Sequence, residues 1–377
     1  MKIAYIATSS IPSSTANSIQ VMKVCQALTQ NGEDVHLYIP GSGEFDWPQL
    51  KKQYGLSSQF AIHRIQSLKP LKRFDFILTA LHQAKKAGAQ VIYTRMLWVA
   101  RAAQLQQIPV FLELHDLPAG RFGKTLFSRF LASRSKKKLV LITAALGRVI
   151  ETKFNLHIPA ASMIVAPDGV DLERYNDLPD QATARQSLGL QPTLTAVYTG
   201  GFYKGRGLEL LQRLAEAFPQ VQFLWVGGKP EAVAEWQTIL HNQQIYNITL
   251  TGFCPNEQLP LFQAAADVLL MPFGKTVSGS SGGNTADVCS PMKMFEYMAA
   301  GRCILTSDLP VLREVLNENN ASFYTPEDFE ELKSKFALLI SSPELRHKLA
   351  AQAKADSLQY SWRERMRKII TTLGETK

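Results

Sequence analysis

Two junctions in the sequence combine basic side chains with the start of a helix, a combination suited to binding phosphate. The first is residues 198–207, Tyr-Thr-Gly-Gly-Phe-Tyr-Lys-Gly-Arg-Gly, between a predicted strand and a predicted helix. Its four glycines let the backbone approach a ligand closely, and an arginine binds phosphate through two hydrogen bonds. We therefore predict phosphate contacts from Gly201, Lys204 and Arg206, with a purely structural loop as the alternative.

The second junction is residues 290–301, Ser-Pro-Met-Lys-Met-Phe-Glu-Tyr-Met-Ala-Ala-Gly. Serine suits an N-cap, proline the first helical position and glycine the C-terminal cap, which predicts a helix over 291–300 that Gly301 ends. The start of such a helix carries about half a positive charge, to which a lysine adds. We predict phosphate binding by its first residues, Ser290, Pro291, Met292 and Lys293.

Glu296 lies about 9 Å along that helix from the predicted cap, with its side chain tilted back toward the N-terminus. A carboxylate beside a phosphate pocket suits the two hydroxyls of a ribose. The alternative is one exposed charge on a surface helix. The apolar neighbours Phe295, Met298 and Ala299 predict a largely buried helix, which favours the ribose contact.

His115 ends the sequence Leu-Glu-Leu-His at the carboxyl end of a predicted strand, where ligands bind in parallel sheets. We predict an active-site role for it, against the alternative of a packed or surface histidine. Asp116 is either an acceptor-side or histidine-orienting residue, or a turn former before Pro118.

Small polar residues at 13–18 open the first predicted helix. Asn17 and Ser18 contact phosphate or an acceptor in one interpretation and only cap the helix in the other. The glycine- and serine-rich stretch 274–290, directly before the second junction, predicts a mobile loop. That loop is either a flap over the site or a surface insertion.

These residues require a scaffold that brings strand ends and helix starts together. Short β-branched runs alternate with amphipathic stretches in both halves of the chain. The predicted strands are 2–7, 34–39, 90–93, 110–114, 195–199, 222–226, 248–251, 268–271 and 303–306, and the predicted helices include 18–30, 208–218 and 361–373. Strands spaced by helices imply parallel sheets, so we predict an α/β fold of two doubly wound domains with a linker at 166–192.

The composition fits two globular domains. The chain has 377 residues, 46% of them hydrophobic and 19% charged, and no apolar run approaches the length of a membrane span. The first residues predict a strand and not a signal peptide. The four cysteines are Cys25, Cys254, Cys289 and Cys303, and they form no Cys-x-x-Cys pair. Their spacing argues against a zinc site or a disulfide framework and favours a cytoplasmic location.

The net charge of +9 is concentrated in the first half of the chain. Residues 1–175 hold 22 Lys and Arg against 11 Asp and Glu, a balance of +11, and the remainder holds 19 against 21, a balance of −2. Within 121–138, basic residues interleave with Phe and Leu at helical spacing: Arg121, Lys124, Arg129, Arg134, Lys136, Lys137 and Lys138. The pattern predicts either an amphipathic helix that contacts an anionic membrane peripherally, or a helix whose apolar side faces the core. No nucleic-acid-binding module accompanies the basic residues, so we expect no nucleic acid partner.

Residues 290–301, followed by Thr-Ser-Asp-Leu-Pro-Val-Leu-Arg-Glu-Val, resemble the C-terminal donor motif of family 4 retaining glycosyltransferases in its Ser-Pro-x-Lys variant. Residues 166–171 are similar to that family's interdomain loop, and residues 200–207 to its phosphate loop. The turn Thr-Gly-Phe-Cys-Pro at 251–255 resembles the one whose backbone meets the nucleobase, which implies this role for Gly252 and Phe253. Residues 112–116 resemble the strand end that carries the family's active-site histidine. Arg95, which follows another predicted strand, resembles an acceptor-side arginine of the family, with a surface charge as the alternative.

The resemblance implies the GT-B fold, two Rossmann-like domains facing across a cleft. We predict these domains at 1–170 and 190–358, with residues 360–377 packing back on the first. The implied activity is a retaining transfer of a sugar from a nucleotide-sugar to a glycan, glycolipid or polysaccharide, including lipid-linked acceptors. In the resembling family the histidine, here His115, contacts the sugar. No Asp-x-Asp pair stands in a metal-ligand context, so we expect no metal or other cofactor, with Lys204, Arg206 and Lys293 supplying the charge.

The sequence departs from the family pattern at two positions. Members often carry a second glutamate before Glu296, where this chain has Val288 beside Asp287, and many carry an arginine where this chain has Gly201. The absence of an acid at Val288 favours one alternative, a non-catalytic nucleotide-sugar-binding protein. The other alternative is a different enzyme on the same fold, a nucleotide-sugar epimerase or a phosphorylase.

Overall fold

The computed structural model of the protein describes residues 1–67, 74–277 and 284–373. The chain divides into two compact units. The first comprises Met1–Asp168 together with Trp362–Lys377, and the second comprises Gly169–Ser361. The segment 166–192, predicted as a linker, contributes a short 3-10 helix at Leu172–Tyr175 and a helix at Gln181–Ser187.

The first unit contains a seven-stranded parallel sheet in the order β3-β2-β1-β4-β5-β6-β7. Its strands are β1 Lys2–Ile6, β2 Asp34–Pro40, β3 Ala61–Ile65, β4 Val91–Thr94, β5 Val110–Leu114, β6 Lys137–Leu141 and β7 Met163–Val165. Its helices are α1 Ala16–Gln30, α2 Trp47–Tyr54, α3 Phe74–Lys86, α4 Leu97–Leu105, α5 Gly123–Ala132 and α6 Ala144–Phe154. The central strands β4 and β5 are buried along their whole length, as expected when helices cover both faces of a parallel sheet.

The second unit contains a six-stranded parallel sheet in the order β10-β9-β8-β11-β12-β13. Its strands are β8 Thr195–Thr199, β9 Gln222–Val226, β10 Ile248–Gly252, β11 Val268–Met271, β12 Cys303–Ser307 and β13 Ser322–Tyr324. Its helices are α7 Gln181–Ser187, α8 Leu208–Ala217, α9 Pro230–Asn242, α10 Leu259–Ala264, α11 Met292–Ala300, α12 Phe329–Ser341 and α13 Pro343–Ser357. A core that includes Trp225, Phe223 and Phe336 packs between this sheet and its helices.

The last helix, α14 Trp362–Thr371, returns to the first unit. It packs against α1, where the side-chain amide of Asn31 donates a hydrogen bond of 2.9 Å to the Arg363 carbonyl. Trp362, Met366 and Ile369 are buried at helical spacing, so this helix closes the core of the first unit. Residues 374–377 of the predicted terminal helix lie outside the described residues.

Two predicted helix starts are wrong by one or two residues. Helix α1 begins at Ala16 and not at residue 18, because Thr15 is its N-cap and accepts a hydrogen bond from the Ser18 amide. Helix α11 begins at Met292, so Pro291 occupies the N-cap position that we predicted for Ser290. The prediction for the other end is confirmed, since Gly301 ends α11 in the left-handed conformation with φ 61°.

The basic segment 121–138 does not form one helix. Helix α5 ends at Ala132, and Lys137 and Lys138 belong to strand β6. Phe127 and Phe130 are fully buried, so the apolar side of α5 faces the core of the first unit. Lys138 is also buried, and its ammonium donates a hydrogen bond of 2.8 Å to the Ala161 carbonyl. Only part of the predicted basic surface is therefore exposed.

Candidate active site

The first predicted phosphate junction is a tight loop between β8 and α8. Gly207 caps α8 in the left-handed conformation with φ 74°, and a Cβ at this position would lie 1.9 Å from the Pro272 carbonyl oxygen. Gly200 adopts φ 143°, which side chains rarely adopt. The Tyr198 hydroxyl donates a hydrogen bond of 2.9 Å to the Gly201 carbonyl, which holds the loop over the end of its own strand.

The second junction lies beside the first because α11 is tied to the end of β8. The hydroxyl of Tyr297, one turn into α11, accepts hydrogen bonds from the Thr199 amide at 2.8 Å and the Thr199 hydroxyl at 3.2 Å. The start of α11 therefore stands next to the glycine loop, as the phosphate hypothesis requires. Ser290, immediately before it, is buried, while Pro291 and Met292 are half-buried.

Lys293 extends from the first turn of α11 into this junction. Its ammonium is buried, and no described residue accepts a hydrogen bond from it. It lies 4.0 Å from the centre of the Tyr198 ring and 5.6 Å from that of Phe273, and a Cβ on Gly200 would stand 2.6 Å from it. Burial lowers the pKa of Lys293 well below its ordinary value, and the nearby Arg206 lowers it further.

Arg206 joins Lys293 at this point, with its guanidinium 4.9 Å from the centre of the same Phe273 ring. Two basic side chains thus approach the same aromatic ring. Lys204, which we predicted as a third cation, lies on an exposed turn of the same loop. The structure therefore brings together Gly201, Arg206 and Lys293 with the start of α11, and leaves Lys204 at the surface.

Glu296, the predicted ribose contact, lies half-buried on α11 at the end of a hydrogen-bonded chain. The side-chain nitrogen of Gln263 donates a hydrogen bond of 3.4 Å to the Glu296 carboxylate. The side-chain oxygen of Gln263 accepts one of 2.9 Å from the Tyr175 hydroxyl. Gln263 and Tyr175 are buried, so the chain gives Glu296 a fixed orientation.

The predicted nucleobase turn follows β10. Gly252 adopts the left-handed conformation with φ 71°, and its carbonyl accepts a hydrogen bond of 2.9 Å from the Gly227 amide. Phe253 is exposed over 53% of its surface, which leaves its ring available to a ligand. Of the two residues at the departure from the family motif, Val288 is buried and Asp287 is exposed. Residues 278–283 of the predicted flap lie outside the described residues.

The first unit contains a buried carboxylate, Glu113, at the end of β5. Four side chains donate hydrogen bonds to it: Gln20 through Nε2 at 2.6 Å, His115 through Nε2 at 2.5 Å, Arg365 through Nη1 at 3.3 Å, and the hydroxyl of Tyr93. Burial alone would raise the pKa of Glu113, but the Arg365 guanidinium and the hydrogen bonds hold it well below its usual range. The carboxylate is therefore ionised.

His115 follows Glu113 on the same face of the strand, two positions on. An ionised carboxylate only accepts hydrogen bonds, so the Nε2 atom of His115 carries the proton. Burial lowers the pKa of His115 to about 4, and the charge of Arg95 acts in the same direction. The imidazole is thus neutral, and 16% of its side chain remains exposed.

His115, Arg95 and Asp116 line one cavity of about 490 Å³ in the first unit. Its walls are otherwise largely apolar and include Met96, Trp98, Leu117, Phe122 and Leu126. Arg95 donates a hydrogen bond of 3.4 Å to the side-chain oxygen of Gln20, and the Asp116 carboxylate accepts one of 2.7 Å from the Leu117 amide. The Asp116 carboxylate thus bonds within its own loop and is also exposed at the cavity, so both interpretations of this residue stay predictions.

Asn17 and Ser18, the other predicted acceptor-side residues, do not line this cavity. The Ser18 hydroxyl is buried and donates to the Ser13 and Thr15 carbonyls at 2.8 and 2.9 Å. Asn17 is exposed, and its carbonyl oxygen accepts a hydrogen bond from the Ser9 hydroxyl. Both residues shape the loop that opens α1.

Glu113, His115 and Asp168 offer ligand atoms within 4.8 Å of one another, a spacing compatible with a cation. Arg365 already places a guanidinium on Glu113, with Nη2 to Oε1 at 3.1 Å. A second positive charge there would be repelled, so this group fits a side-chain ion network better than a metal site. Burial raises the pKa of Asp168 to about 7, against the opposing charge of Arg365.

Sequence reasoning missed Glu113 and Arg365 as members of the site. Each carried a signal, because a glutamate inside the apolar strand Val-Phe-Leu-Glu-Leu is out of place. Arg365 stands on the stripe that Trp362, Met366 and Ile369 form at helical spacing, where an apolar residue is the rule. A buried acidic residue and a buried basic residue each need a partner of opposite charge. Nothing in the sequence, however, indicates that strand β5 and helix α14 meet.

Comparisons with known proteins agree with the fold and give the class of activity. A family model described as glycosyl transferase-like matches residues 206–371. The alpha-galactosylglucosyldiacylglycerol synthase of Streptococcus pneumoniae is 25% identical over 296 residues, which cover 76% of this chain and 71% of that protein. These matches give the activity class: the chain is a glycosyltransferase, an enzyme that transfers glycosyl groups.

Solved structures show the same architecture. HepE (Alr3699) of Anabaena, crystallised with UDP, aligns over 100% of both chains with a TM-score of 0.76 and 17% identity. A sucrose-phosphate synthase of Thermosynechococcus elongatus aligns over 100% of this chain and 99% of its own, with a TM-score of 0.75 and 16% identity. The two doubly wound units of this protein therefore form a GT-B fold, as the sequence predicted.

Proposed function

We propose that the protein takes a sugar from a nucleotide-sugar donor and transfers it, with retention of configuration and without a metal, to a glycan, glycolipid or polysaccharide acceptor. The observation that carries this proposal is the buried ammonium of Lys293, which has no hydrogen-bond partner among the described residues and stands beside Arg206 and Gly200. A buried ammonium that makes no hydrogen bond is costly, and a diphosphate bound at this point would supply the acceptor oxygens.

The chemistry follows from where that charge lies. Breaking the bond between the anomeric carbon and the diphosphate oxygen leaves the electron pair, and hence negative charge, on the phosphate. Lys293, Arg206 and the start of α11 are positioned to stabilise that charge, the role that a metal has in other transferases. Retention of configuration is what the family resemblance implies. Gln263 and Glu296 then hold the ribose, with Gly252 and Phe253 at the base.

In the proposed reaction the cavity of the first unit receives the acceptor, and His115 meets a sugar hydroxyl. The apolar walls and the arginines Arg95 and Arg121 suit an acceptor with apolar and anionic parts. The named product of the Streptococcus pneumoniae relative, a glycolipid, supports a lipid-linked acceptor. A glycan acceptor without a lipid is the other outcome that an acceptor screen can give.

Calorimetric titration with UDP, GDP and ADP in the presence of a metal chelator tests the donor site. We expect saturable binding of one nucleotide, with UDP the first to try because the HepE structure contains it. Arg206→Ala should weaken that binding at least about tenfold, the loss of a charged hydrogen bond. Lys333→Ala, an exposed lysine on α12, is the matched control and should leave binding unchanged.

Binding that appears only when Mg²⁺ is added would contradict the metal-independent part of the proposal. The alternative activities separate in an assay with a labelled nucleotide-sugar. Conversion of the donor without an acceptor would indicate an epimerase, and dependence on inorganic phosphate a phosphorylase. If His115→Ala and Glu296→Ala both left transfer unchanged, the assigned site would be wrong.

We also propose peripheral contact with an anionic membrane through the exposed part of the basic segment. Arg121, Phe122, Lys124 and Arg129 are exposed around α5, and Phe122 keeps 56% of its surface free. A basic rim with an exposed aromatic ring suits an interface with anionic lipid headgroups. Among the described residues, no helix is long and apolar enough to cross a membrane.

A further inference from the structure

The Glu113–His115 pair is held by a third residue, Arg365, that the proposed function does not use. A carboxylate beside an imidazole ordinarily favours the protonated, positively charged ring. Here the Glu113 carboxylate contacts His115 Nε2 at 2.5 Å, and Arg365 contacts both of its oxygens. The guanidinium offsets this negative charge, and it acts in the same direction as burial and Arg95, which disfavour a proton on the ring.

Arg365 is fixed in place from its other side as well. Its Nε donates a hydrogen bond of 2.7 Å to the Pro167 carbonyl, and its Nη2 donates one of 3.0 Å to the Ala166 carbonyl. Only 4% of the residue is exposed. Because a guanidinium is planar and rigid, these contacts set the plane of the Glu113 carboxylate and, through it, the plane of the His115 ring.

We propose that Arg365 is a positioning residue for His115. Its positive charge balances the negative charge of the ionised Glu113 carboxylate. This carboxylate then fixes the ring in the neutral Nε2–H form and leaves Nδ1 as an acceptor for a substrate hydroxyl. No described residue hydrogen-bonds Nδ1, and the ring lines the cavity of the first unit. The inference rests on the proposed function in one respect, that His115 meets a hydroxyl of the substrate.

Other charged and titratable groups surround the ring, and they bear on its charge. Arg95 follows β4 and disfavours a proton on His115, as Arg365 does. Asp168 stands next to Arg365, with a pKa raised to about 7 by burial. Tyr93 and Tyr5 face Glu113 from β4 and β1, and burial raises the pKa of both hydroxyls, which keeps them neutral. Removing Arg365 thus takes away one of two cations and leaves Glu113 free to form an ion pair with the ring.

Nuclear magnetic resonance of protein labelled with ¹⁵N-histidine tests the inference. In the wild type, the two ring nitrogens of His115 should report a neutral ring with the proton on Nε2. In Arg365→Met, the pKa of His115 should rise by about one unit or more, the usual effect of one nearby charge. Arg365→Lys keeps the positive charge and should restore most of the wild-type titration. Arg367→Met, on the exposed face of the same helix, is the control and should match the wild type.

If Arg365→Met does not fold, the double variant Glu113→Gln, Arg365→Met removes both charges and still tests the proposal. A glutamine can present either its oxygen or its amide to Nε2, so the ring should become a mixture of both tautomers. An unchanged titration in Arg365→Met, an unchanged tautomer in the double variant, or a wild-type ring protonated on Nδ1 would each overturn the proposal.

These measurements need no nucleotide or acceptor, so their failure is distinct from failure of the proposed function. Arg365→Met should also bind UDP with wild-type affinity, because the phosphate residues belong to the other unit. If the wild type binds no nucleotide while the resonance results are as expected, the positioning network stands and the donor assignment falls. Once an acceptor is found, Arg365→Met should lower kcat at least tenfold with little change in the KM of the donor.

Discussion

The ammonium of Lys293, in the first turn of α11, lies 4.0 Å from the centre of the ring of Tyr198, near the end of β8. The start of the helix and the end of the strand therefore contact each other through a cation and an aromatic face. Such a contact contributes about 1–2 kcal/mol when it is shielded from water, which is less than the cost of burying the charge. The free protein therefore keeps this cation at the expense of stability. Two consequences of this burial can be measured.

Lys293→Met should make the protein more stable and remove its affinity for nucleotide. Methionine keeps an unbranched apolar side chain over the Tyr198 ring without a buried charge, and we expect the free energy of unfolding to rise by about 1–4 kcal/mol. Chemical denaturation at neutral pH measures the gain, and calorimetry measures the loss of binding. Lys333→Met on α12 should change neither. A destabilised Lys293→Met that still binds nucleotide would contradict the assigned role.

Nucleotide binding should be accompanied by proton uptake. Burial lowers the pKa of Lys293 in the free protein, and a bound diphosphate would raise it again, so the complex holds more protons wherever the pH lies between the two values. Calorimetry in buffers with different ionisation enthalpies, at neutral and at mildly alkaline pH, measures the number of protons. We expect proton uptake in the wild type and none in Lys293→Met. Proton release in the wild type would reverse the sign of the argument.

Much of the central sheet structure could be read from the sequence, whereas the sheet edges could not. The bounds of β5, β8, β9 and β11 are those predicted, because strands buried on both faces are continuous apolar runs. Strand β3, Ala-Ile-His-Arg-Ile, was not predicted, since an edge strand keeps half-buried polar residues that break the pattern. The three-residue strands β7 and β13 are too short to leave any periodic signal.

The candidate site divides in the same way. Lys293 and Arg206 were predicted from local motifs, since both belong to junctions that signal phosphate by themselves. The burial of the Lys293 ammonium was not predictable, because it depends on Tyr198 in β8 and on Phe273 in the segment after β11. Arg365 and Glu113 are 252 residues apart, so only the folded chain makes them a pair.

Gly207→Ala should destabilise the second unit and disturb the phosphate loop. An alanine there meets the strain of the left-handed conformation, and its Cβ would stand 1.9 Å from the Pro272 carbonyl oxygen. Gly189→Ala is the matched control, because Gly189 has a similar φ of 66° and nothing within 4 Å of a new Cβ. Thermal or urea unfolding should show Gly207→Ala to be less stable than Gly189→Ala by about 1–3 kcal/mol, the cost of overpacking. Equal losses of stability in the two variants would mean that the phosphate loop accommodates the new Cβ without additional strain.

Binding to anionic vesicles should depend on the exposed basic rim of α5. Replacing Arg121 and Lys124 by Glu should lower partitioning onto phosphatidylglycerol vesicles at least about tenfold, since each basic residue near an anionic surface contributes about 1 kcal/mol. The control variant is Lys85→Glu with Lys86→Glu, at the end of α3. It changes the net charge of the same unit by the same amount. Sedimentation with phosphatidylcholine vesicles sets the baseline. Equal losses in both variants would indicate only a general charge effect.

Asp168→Asn should change how stability depends on pH. The folded protein holds a proton on Asp168 up to about pH 7, whereas the ordinary carboxyl pKa is 3.8. The folded state therefore binds more protons between these values, and the contribution of this residue to stability falls as the pH rises through them. Asparagine cannot ionise. The free energy of unfolding of the variant should therefore rise relative to that of the wild type from about pH 4 to about pH 7, by on the order of 1–4 kcal/mol. Urea unfolding across this range measures the gain, with the exposed Asp116→Asn as control. Parallel curves for wild type and Asp168→Asn would mean that Arg365 keeps Asp168 ionised, and the charge balance around Glu113 would then have to be reassigned.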